Sequence, residues 1–236
     1  MLEQSKINTV GLIPARWGSI RFEGKPLAMI SGQPMIQRVY DRASMSKKLD
    51  EVYVVTDDDR IENYCNDNDL NVIRIDNVVP TGTDRIALTL DTLDADIYVN
   101  IQGDEPLIDP DAIDKLIESY TLGSVSNAYV KIEQDYKNSD INVVKVSFNK
   151  DNYATHFSRL PISPYQQMGL YAFSRDMLSM FSTLTRGEFE KRENVEMFRY
   201  IENGHKVKMV KVNDIGLSVD TPNDIKLVEE YLNGRD

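Results

Sequence analysis

Near its start the chain gathers Arg16, Arg21 and Lys25 around Gly18 and Gly24, in Ile13-Pro14-Ala15-Arg16-Trp17-Gly18-Ser19-Ile20-Arg21-Phe22-Glu23-Gly24-Lys25-Pro26-Leu27. Glycine lets backbone approach an anion and aim N–H groups at it, while Arg and Lys add charge with long reach. The segment therefore reads as a loop for a polyphosphate. Neither G-x-x-x-x-G-K-[ST] nor G-x-G-x-x-G occurs in it, so it is a different kind of nucleotide loop. The bland alternative is a solvated turn, and the charge balance weighs against that. With 27 Lys and Arg against 38 Asp and Glu, a formal net charge of -11, a local cluster of cations suits a local anion better than a general basic surface. The same acidity disfavours nonspecific binding to nucleic acid or anionic membrane.

Two carboxylates invite a metal reading. Tyr98-Val99-Asn100-Ile101-Gln102-Gly103-Asp104-Glu105-Pro106 is a strand pattern ending in an acidic turn. Asp104 there suits Mg²⁺, a hard cation that shares itself between one or two carboxylates and substrate phosphates; the alternative is a turn with solvated charges. Asp220, in Gly216-Leu217-Ser218-Val219-Asp220-Thr221-Pro222-Asn223-Asp224, reads as the end of a short strand and the opening of a helix. It is either an N-cap or a second metal ligand, and two converging carboxylates would let Mg²⁺ clamp a displacement at phosphorus. Pro80-Thr81-Gly82-Thr83-Asp84-Arg85 is a Thr-capped helix start or a contact for a nucleobase or ribose. Asn142, Lys145, Ser158 and Arg159 sit on or beside strand-like runs, where isolated charges are usually solvated; Arg159 is the best of them for an anionic substrate.

These residues need elements to hold them. Strand patterns at 9–14, 51–56, 71–75 and 97–101 alternate with helical patterns at 34–46, 58–69, 83–92 and 110–120, which predicts βαβ units and a mainly parallel sheet. Loops after such strands lie where open α/β sheets bind ligands. Later strands at 125–132, 143–148 and 168–173, with fewer helices between them, predict a mixed sheet and a small appended region beyond about residue 122. Helices at 175–182 and 193–203, a strand at 206–212 and a last helix after Asp220-Thr221-Pro222 complete the chain.

In their order, the motifs IPARWGSIRFEGKPL, PTGTDR, NIQGDEP and SVDTPND closely resemble the 3-deoxy-manno-octulosonate cytidylyltransferases, or CMP-Kdo synthetases, from Val10 to about Leu232. The resemblance implies a Rossmann-like nucleotidyltransferase fold as a single domain over 1–236, with a sugar-binding or dimerisation subdomain within about 123–205. It implies transfer of CMP from CTP to the anomeric hydroxyl of an acidic 3-deoxy ketosugar, releasing pyrophosphate, and Mg²⁺ as cofactor. Carried over residue by residue, it assigns the triphosphate to Arg16, Arg21 and Lys25, cytidine to Thr81, Gly82, Thr83, Arg85 and Gln102, and Mg²⁺ to Asp104 and Asp220. The sugar falls to Arg159, to Tyr171 of the Gly169-Leu170-Tyr171 motif and to Glu196. Homodimers are usual in that family.

The chain departs from the family pattern on the sugar side. Gln167 stands where the family has histidine, Met197 follows Glu196 where the family has glutamine, and only seven residues separate Arg159 from Gln167. These departures predict weaker binding of the ordinary sugar or preference for a modified one. A sialate-like acceptor, or a nucleotide-binding module without catalysis, are the competing readings.

What remains is quiet. Cys65, the only cysteine, predicts a packing role and excludes an intrachain disulfide; His156 and His205, the only histidines, lack metal-ligand spacing. No segment approaches a membrane span and the first residues lack an apolar leader core, so a cytoplasmic protein is expected.

Overall fold

In the computed structural model, residues 7–18, 21–133 and 139–234 are described; Ser19 and Ile20 of the first motif lie outside them. The chain opens with β1 (Thr9–Ala15), the short β2 (Met29–Ile30) and β3 (Gln33–Pro34), α1 (Met35–Ser44), β4 (Glu51–Thr56), α2 (Asp59–Asp67) and β5 (Val72–Arg74). Next come α3 (Gly82–Ala87), β6 (Ile97–Ile101), α4 (Pro110–Glu118), β7 (Val125–Lys131), β8 (Lys145–Phe148), β9 (Ala154–Ser158) and β10 (Tyr165–Phe173). The last elements are α5 (Arg175–Thr183), α6 (Glu188–Glu193), α7 (Phe198–Glu202), β11 (Val207–Lys211) and α8 (Pro222–Asn233).

One sheet carries the order β11-β7-β10-β6-β1-β4-β5, and along it only β10 runs against its neighbours. β1 lies between β6 and β4, with Leu12 opposite both Asn100 and Tyr53. Its residues are buried on both faces, which is what a strand covered by helices on both sides requires. Alternation then splits the core. Ile13 and Ala15 pack with Ile36, Val39, Ile61, Cys65 and Ile113 of α1, α2 and α4, while Val10 and Leu12 pack with Ile86, Leu178, Phe181 and Tyr200 of α3, α5 and α7. Cys65 is fully buried, and desolvation pushes its thiol up to about 12, so it is inert packing.

The predicted α/β architecture is the observed one, with a mostly parallel sheet made mixed by β10. Three local expectations fail. The helix predicted over 193–203 is broken at Asn194, whose φ of 55° takes the left-handed conformation that ends α6. A strand not expected from the sequence, β9, forms a hairpin with β8 beside β10. Residues 216–220 make no ladder; they form an irregular strap fixed by Val219, which is buried against Ile30, Met35 and Val228, and by the Val219 N–H, which donates to Asp104 O at 2.8 Å. Among the described residues no helix is long and apolar enough to cross a membrane.

Candidate active site

A cavity of about 400 Å³ opens where β1 and β6 end and where β10, running the other way, begins. It is where open α/β sheets place ligands. Arg16, Arg21, Lys25, Thr81, Gly82, Arg85, Gln102, Asp104, Arg159, Gln167, Tyr171, Glu196 and Asp220 all line it. Residues separated by two hundred positions are thus brought to one wall.

The first loop is closed by Gly24. Its φ of 69° is left-handed, its N–H donates to Trp17 O at 3.0 Å, and a Cβ there would stand 2.8 Å from the Trp17 ring. Only glycine meets both demands. Trp17 is itself fixed, its indole N–H donating to Glu23 at 3.1 Å and the Arg60 guanidinium lying 3.5 Å over its ring. Pro26 then starts a single 3₁₀ turn, Lys25–Leu27, which turns Lys25 inward.

Both carboxylates of interest are held by cations of that loop. Lys25 Nζ donates to Asp104 Oδ2 at 2.7 Å and to Val219 O at 3.0 Å, and Arg21 Nη2 donates to Asp220 Oδ1 at 2.8 Å. Burial raises the Asp220 pKa, repulsion from Asp104 adds to this, and Arg21, Lys25 and Arg159 oppose it. The two acids therefore share one field. Asp220 is not the helix cap: Thr221 caps α8, and Asp224 completes a capping box with it. Among the described residues no three His, Cys, Asp or Glu side chains gather as a metal cage. Two carboxylates joined by substrate phosphates are a donor set that fits Mg²⁺, which seldom uses an all-protein cage.

Thr81 caps α3, accepting from the Asp84 N–H, so the helix-start reading holds at a turn that also walls the cavity. Arg85 is almost fully buried, donating to Ile75 O at 2.7 Å and Asp57 Oδ2 at 2.5 Å. Thr83 is placed differently from its neighbours. It is fully buried behind the turn, its hydroxyl accepting from Asn100 Nδ2 at 3.0 Å and donating to Glu196 Oε2. Glu196 Oε1 accepts from the N–H groups of Gly82 at 2.9 Å and Thr83 at 3.4 Å. The carboxylate that resemblance assigns to sugar is therefore also the clamp of the turn that resemblance assigns to cytidine, and burial raises its pKa against those hydrogen bonds.

Where resemblance puts the sugar, β10 slips register against β7 between Gln167 and Tyr171. Such a bulge re-aims side chains. Its backbone is satisfied by Asn127, whose Nδ2 donates to Met168 O and Leu170 O at 2.9 and 3.1 Å, and by Glu105, whose Oε1 accepts from the Gly169 N–H at 2.7 Å. Gln167 Nε2 donates to Asn127 Oδ1 at 3.0 Å. Gly169 is obligatory, since a Cβ would meet Gln102 Cγ at 2.5 Å. By sequence Glu105 is only the companion of Asp104. In the structure it is a buried carboxyl with one oxygen, Oε2, lacking a partner, and desolvation with repulsion from Asp214 pushes it up to about 8. The adjacent Asp104-Glu105 pair is the signal in the sequence, but nothing in the motif separates the two roles.

Three expectations are corrected here. Met197 is fully buried among the apolar residues under α7 and does not reach the cavity. Lys145 and Ser158 are not solvated: Lys145 is fully buried, its ammonium donating to the carbonyls of Asp140, Val143 and Arg159 at 2.5, 3.0 and 3.2 Å, while burial lowers its pKa. Arg159 lines the cavity with two of its nitrogens already committed, Nε to Glu193 O at 3.1 Å and Nη1 to Ile141 O and Asn142 O at 3.0 and 3.2 Å. His156 packs edge-on to Phe189 and Phe198, and His205 to Tyr200.

The arrangement, three loop cations set against two carboxylates in one cavity, is chemically able to receive a metal-bound triphosphate. Comparison with known proteins agrees. The family model described as "Cytidylyltransferase" matches residues 10–209. An 8-amino-3,8-dideoxy-manno-octulosonate cytidylyltransferase of Shewanella woodyi is 40% identical, over 96% of this chain and 99% of its own. A 3-deoxy-manno-octulosonate cytidylyltransferase of Thermodesulfovibrio yellowstonii is 38% identical, over 95% of this chain and 98% of its own. The solved structure of a CMP:2-keto-3-deoxy-manno-octonic acid synthetase complexed with CTP superposes with a TM-score of 0.88 at 34% identity, covering 97% of this chain and 100% of its own. A Leptospira borgpetersenii cytidylyltransferase, at 19% identity and a TM-score of 0.68, shares the fold. The chain belongs to the cytidylyltransferase family, among the 3-deoxy-manno-octulosonate cytidylyltransferases.

Proposed function

We propose that this chain moves CMP from CTP to the anomeric hydroxyl of 3-deoxy-manno-octulosonate or a closely related acidic ketosugar, its 8-amino form included, and releases pyrophosphate. The observation that carries this reading is the pairing across the cavity of Lys25 with Asp104 and Arg21 with Asp220. Cations for a triphosphate and carboxylates for a metal neutralise one another there, so each finds a new partner when a metal–nucleotide arrives.

The anomeric hydroxyl gives up its proton to solvent as its oxygen attacks the α-phosphorus, and the bond from that phosphorus to the bridging oxygen breaks, its electron pair leaving with pyrophosphate. Arg16, Arg21 and Lys25 stabilise charge on the leaving group, usually the largest source of catalysis in such transfers. Asp104 and Asp220 would hold Mg²⁺, which when bound would supply polarisation of the phosphate and of the attacking hydroxyl. Thr81, Gly82, Arg85 and Gln102 hold the cytidine. Arg159, Gln167, Tyr171 and Glu196 form the acceptor side, with Asn142, Val143 and Val144 before β8 beside them. Histidine takes no part, both being packed on aromatic rings.

The working form is a homodimer in the cytoplasm, where CTP is available. Exposed Ile141, Leu160 and Ile162, gathered about Arg159, are an apolar surface suited to a second copy. Sedimentation at micromolar concentration should give twice the chain mass; a monomer would remove this part of the reading. Pyrophosphate release from CTP, Mg²⁺ and a panel of acidic ketosugars tests the whole. Release only with 3-deoxy-octulosonates supports it, and preference for a sialic acid overturns it.

A further inference from the structure

Arg199, on α7, is only 2% exposed and does not line the cavity. Its guanidinium makes two forks. Nη1 and Nη2 donate to Asp84 Oδ1 and Oδ2 at 2.6 and 3.0 Å, and Nη2 and Nε donate to Glu190 Oε1 and Oε2 at 2.7 and 2.9 Å. The group also lies 3.9 Å over the Phe181 ring, and Arg186 Nε reaches Glu190 Oε1 at 2.8 Å. Two cations and two carboxylates thus form a neutral quartet in which Arg199, Asp84 and Glu190 are buried and Arg186, 31% exposed, closes the outer edge. Burying such charges is costly, and well-packed apolar side chains of the same volume often serve stability as well or better. The geometry is therefore better explained by what it fixes.

What it fixes is the nucleotide turn. Asp84 Oδ2 accepts from the Thr81 hydroxyl at 2.8 Å, and the Asp84 N–H donates back to Thr81 Oγ1 at 3.2 Å. Thr81 and Gly82 precede Asp84 and Arg85 follows it, and all three line the cavity. Glu196, one turn before Arg199, grips the Gly82 and Thr83 N–H groups of the same turn. One segment thus holds the Thr81–Arg85 turn at two points, its carboxylate on the backbone and its guanidinium on the one acidic side chain.

We propose that Arg199 is a positioning residue of the nucleotide subsite: through Asp84 it holds the Thr81–Arg85 turn in the form that receives CTP, without touching the nucleotide. This rests on the reading that CTP binds at that turn.

The test compares CTP affinity by calorimetry, steady-state constants and Tm for Arg199→Lys, Asp84→Asn and the double variant, with Gly82→Val, whose Cβ would stand 3.1 Å from Pro14 Cγ and 3.6 Å from Glu196 Oε1 and so displace the turn directly, as reference. Arg199→Lys keeps the charge but loses a fork, and Asp84→Asn serves should the lysine variant fail to fold. The expected result is a KM and Kd for CTP raised roughly ten-fold, with kcat and the acceptor KM within about two-fold. The double variant should cost no more than the worse single one. A fall in Tm with unchanged CTP constants, or additive effects of the two substitutions, would overturn the proposal. Should Gly82→Val bind CTP normally, the fault lies in the functional reading of the turn. Should it weaken CTP while the other variants do not, only the role of Arg199 is lost.

Discussion

Lys25 Nζ stands 2.7 Å from Asp104 Oδ2 and, on its other side, 3.0 Å from the carbonyl of Val219, the residue before Asp220. One ammonium of the first loop therefore joins the two segments that carry Asp104 and Asp220, the acids proposed to hold the metal. Removing it leaves a partly buried carboxylate without its partner and takes a positive charge from the leaving group. Lys25→Met should lower kcat/KM by roughly 10²- to 10³-fold, as loss of a transition-state charge partner does. Arg21 is half exposed, and Arg21→Ala should cost only about ten-fold. Stopped or coupled pyrophosphate assays check both; equal, small effects would remove Lys25 from its central place.

The two sequence departures on the acceptor side have different consequences. Gln167 lines the cavity and Met197 does not. Gln167→His should change the KM for the acceptor with little change in that for CTP. Met197→Gln should bury an unmatched amide and cost stability, about 1–3 kcal/mol, while leaving acceptor preference alone. Thermal melts beside acceptor titrations separate the cases, and a changed acceptor preference in Met197→Gln would contradict the packing seen.

Glu105 gives a pH dependence of known sign. Its carboxyl is pushed up to about 8 by burial and by Asp214, against 4.5 for the ordinary group. The folded chain therefore holds a proton that the unfolded chain gives up first. This contribution to stability is whole below about pH 4.5, declines as pH rises, and is gone once pH passes about 8. Glu105→Gln, neutral at every pH, should remove that decline, so that in metal-free buffer its Tm exceeds that of the parent chain increasingly from pH 5 to 8. Parallel curves for the two proteins would show Glu105 to be ionised throughout.

Much of the fold is legible in the sequence because strands and helices of the first half announce themselves by period, as at Val10–Ile13 against Ile36, Val39 and Ala43. The loop cations, Asp104 and Asp220 stand out because their types and order are chemically unusual in an acidic chain. The rest depends on information that no local pattern holds. Met197 and Glu196 are neighbours in sequence but one enters the core and the other the cavity, a matter of the turn between the left-handed Asn194 and the start of α7. Lys145 looks like a surface lysine until three carbonyls from two segments close around it. Arg199 and Asp84 lie 115 residues apart, and nothing in either stretch announces the other.

The central claim is that Asp104 and Asp220 hold the metal for cytidylyl transfer on a loop that binds triphosphate. Its most direct test is single-turnover pyrophosphate release by Asp104→Asn with CTP, Mg²⁺ and 3-deoxy-manno-octulosonate, beside a thermal melt of the same variant. The account predicts a folded protein with release reduced by at least about 10³-fold. A folded Asp104→Asn that releases pyrophosphate at near the parent rate would contradict it.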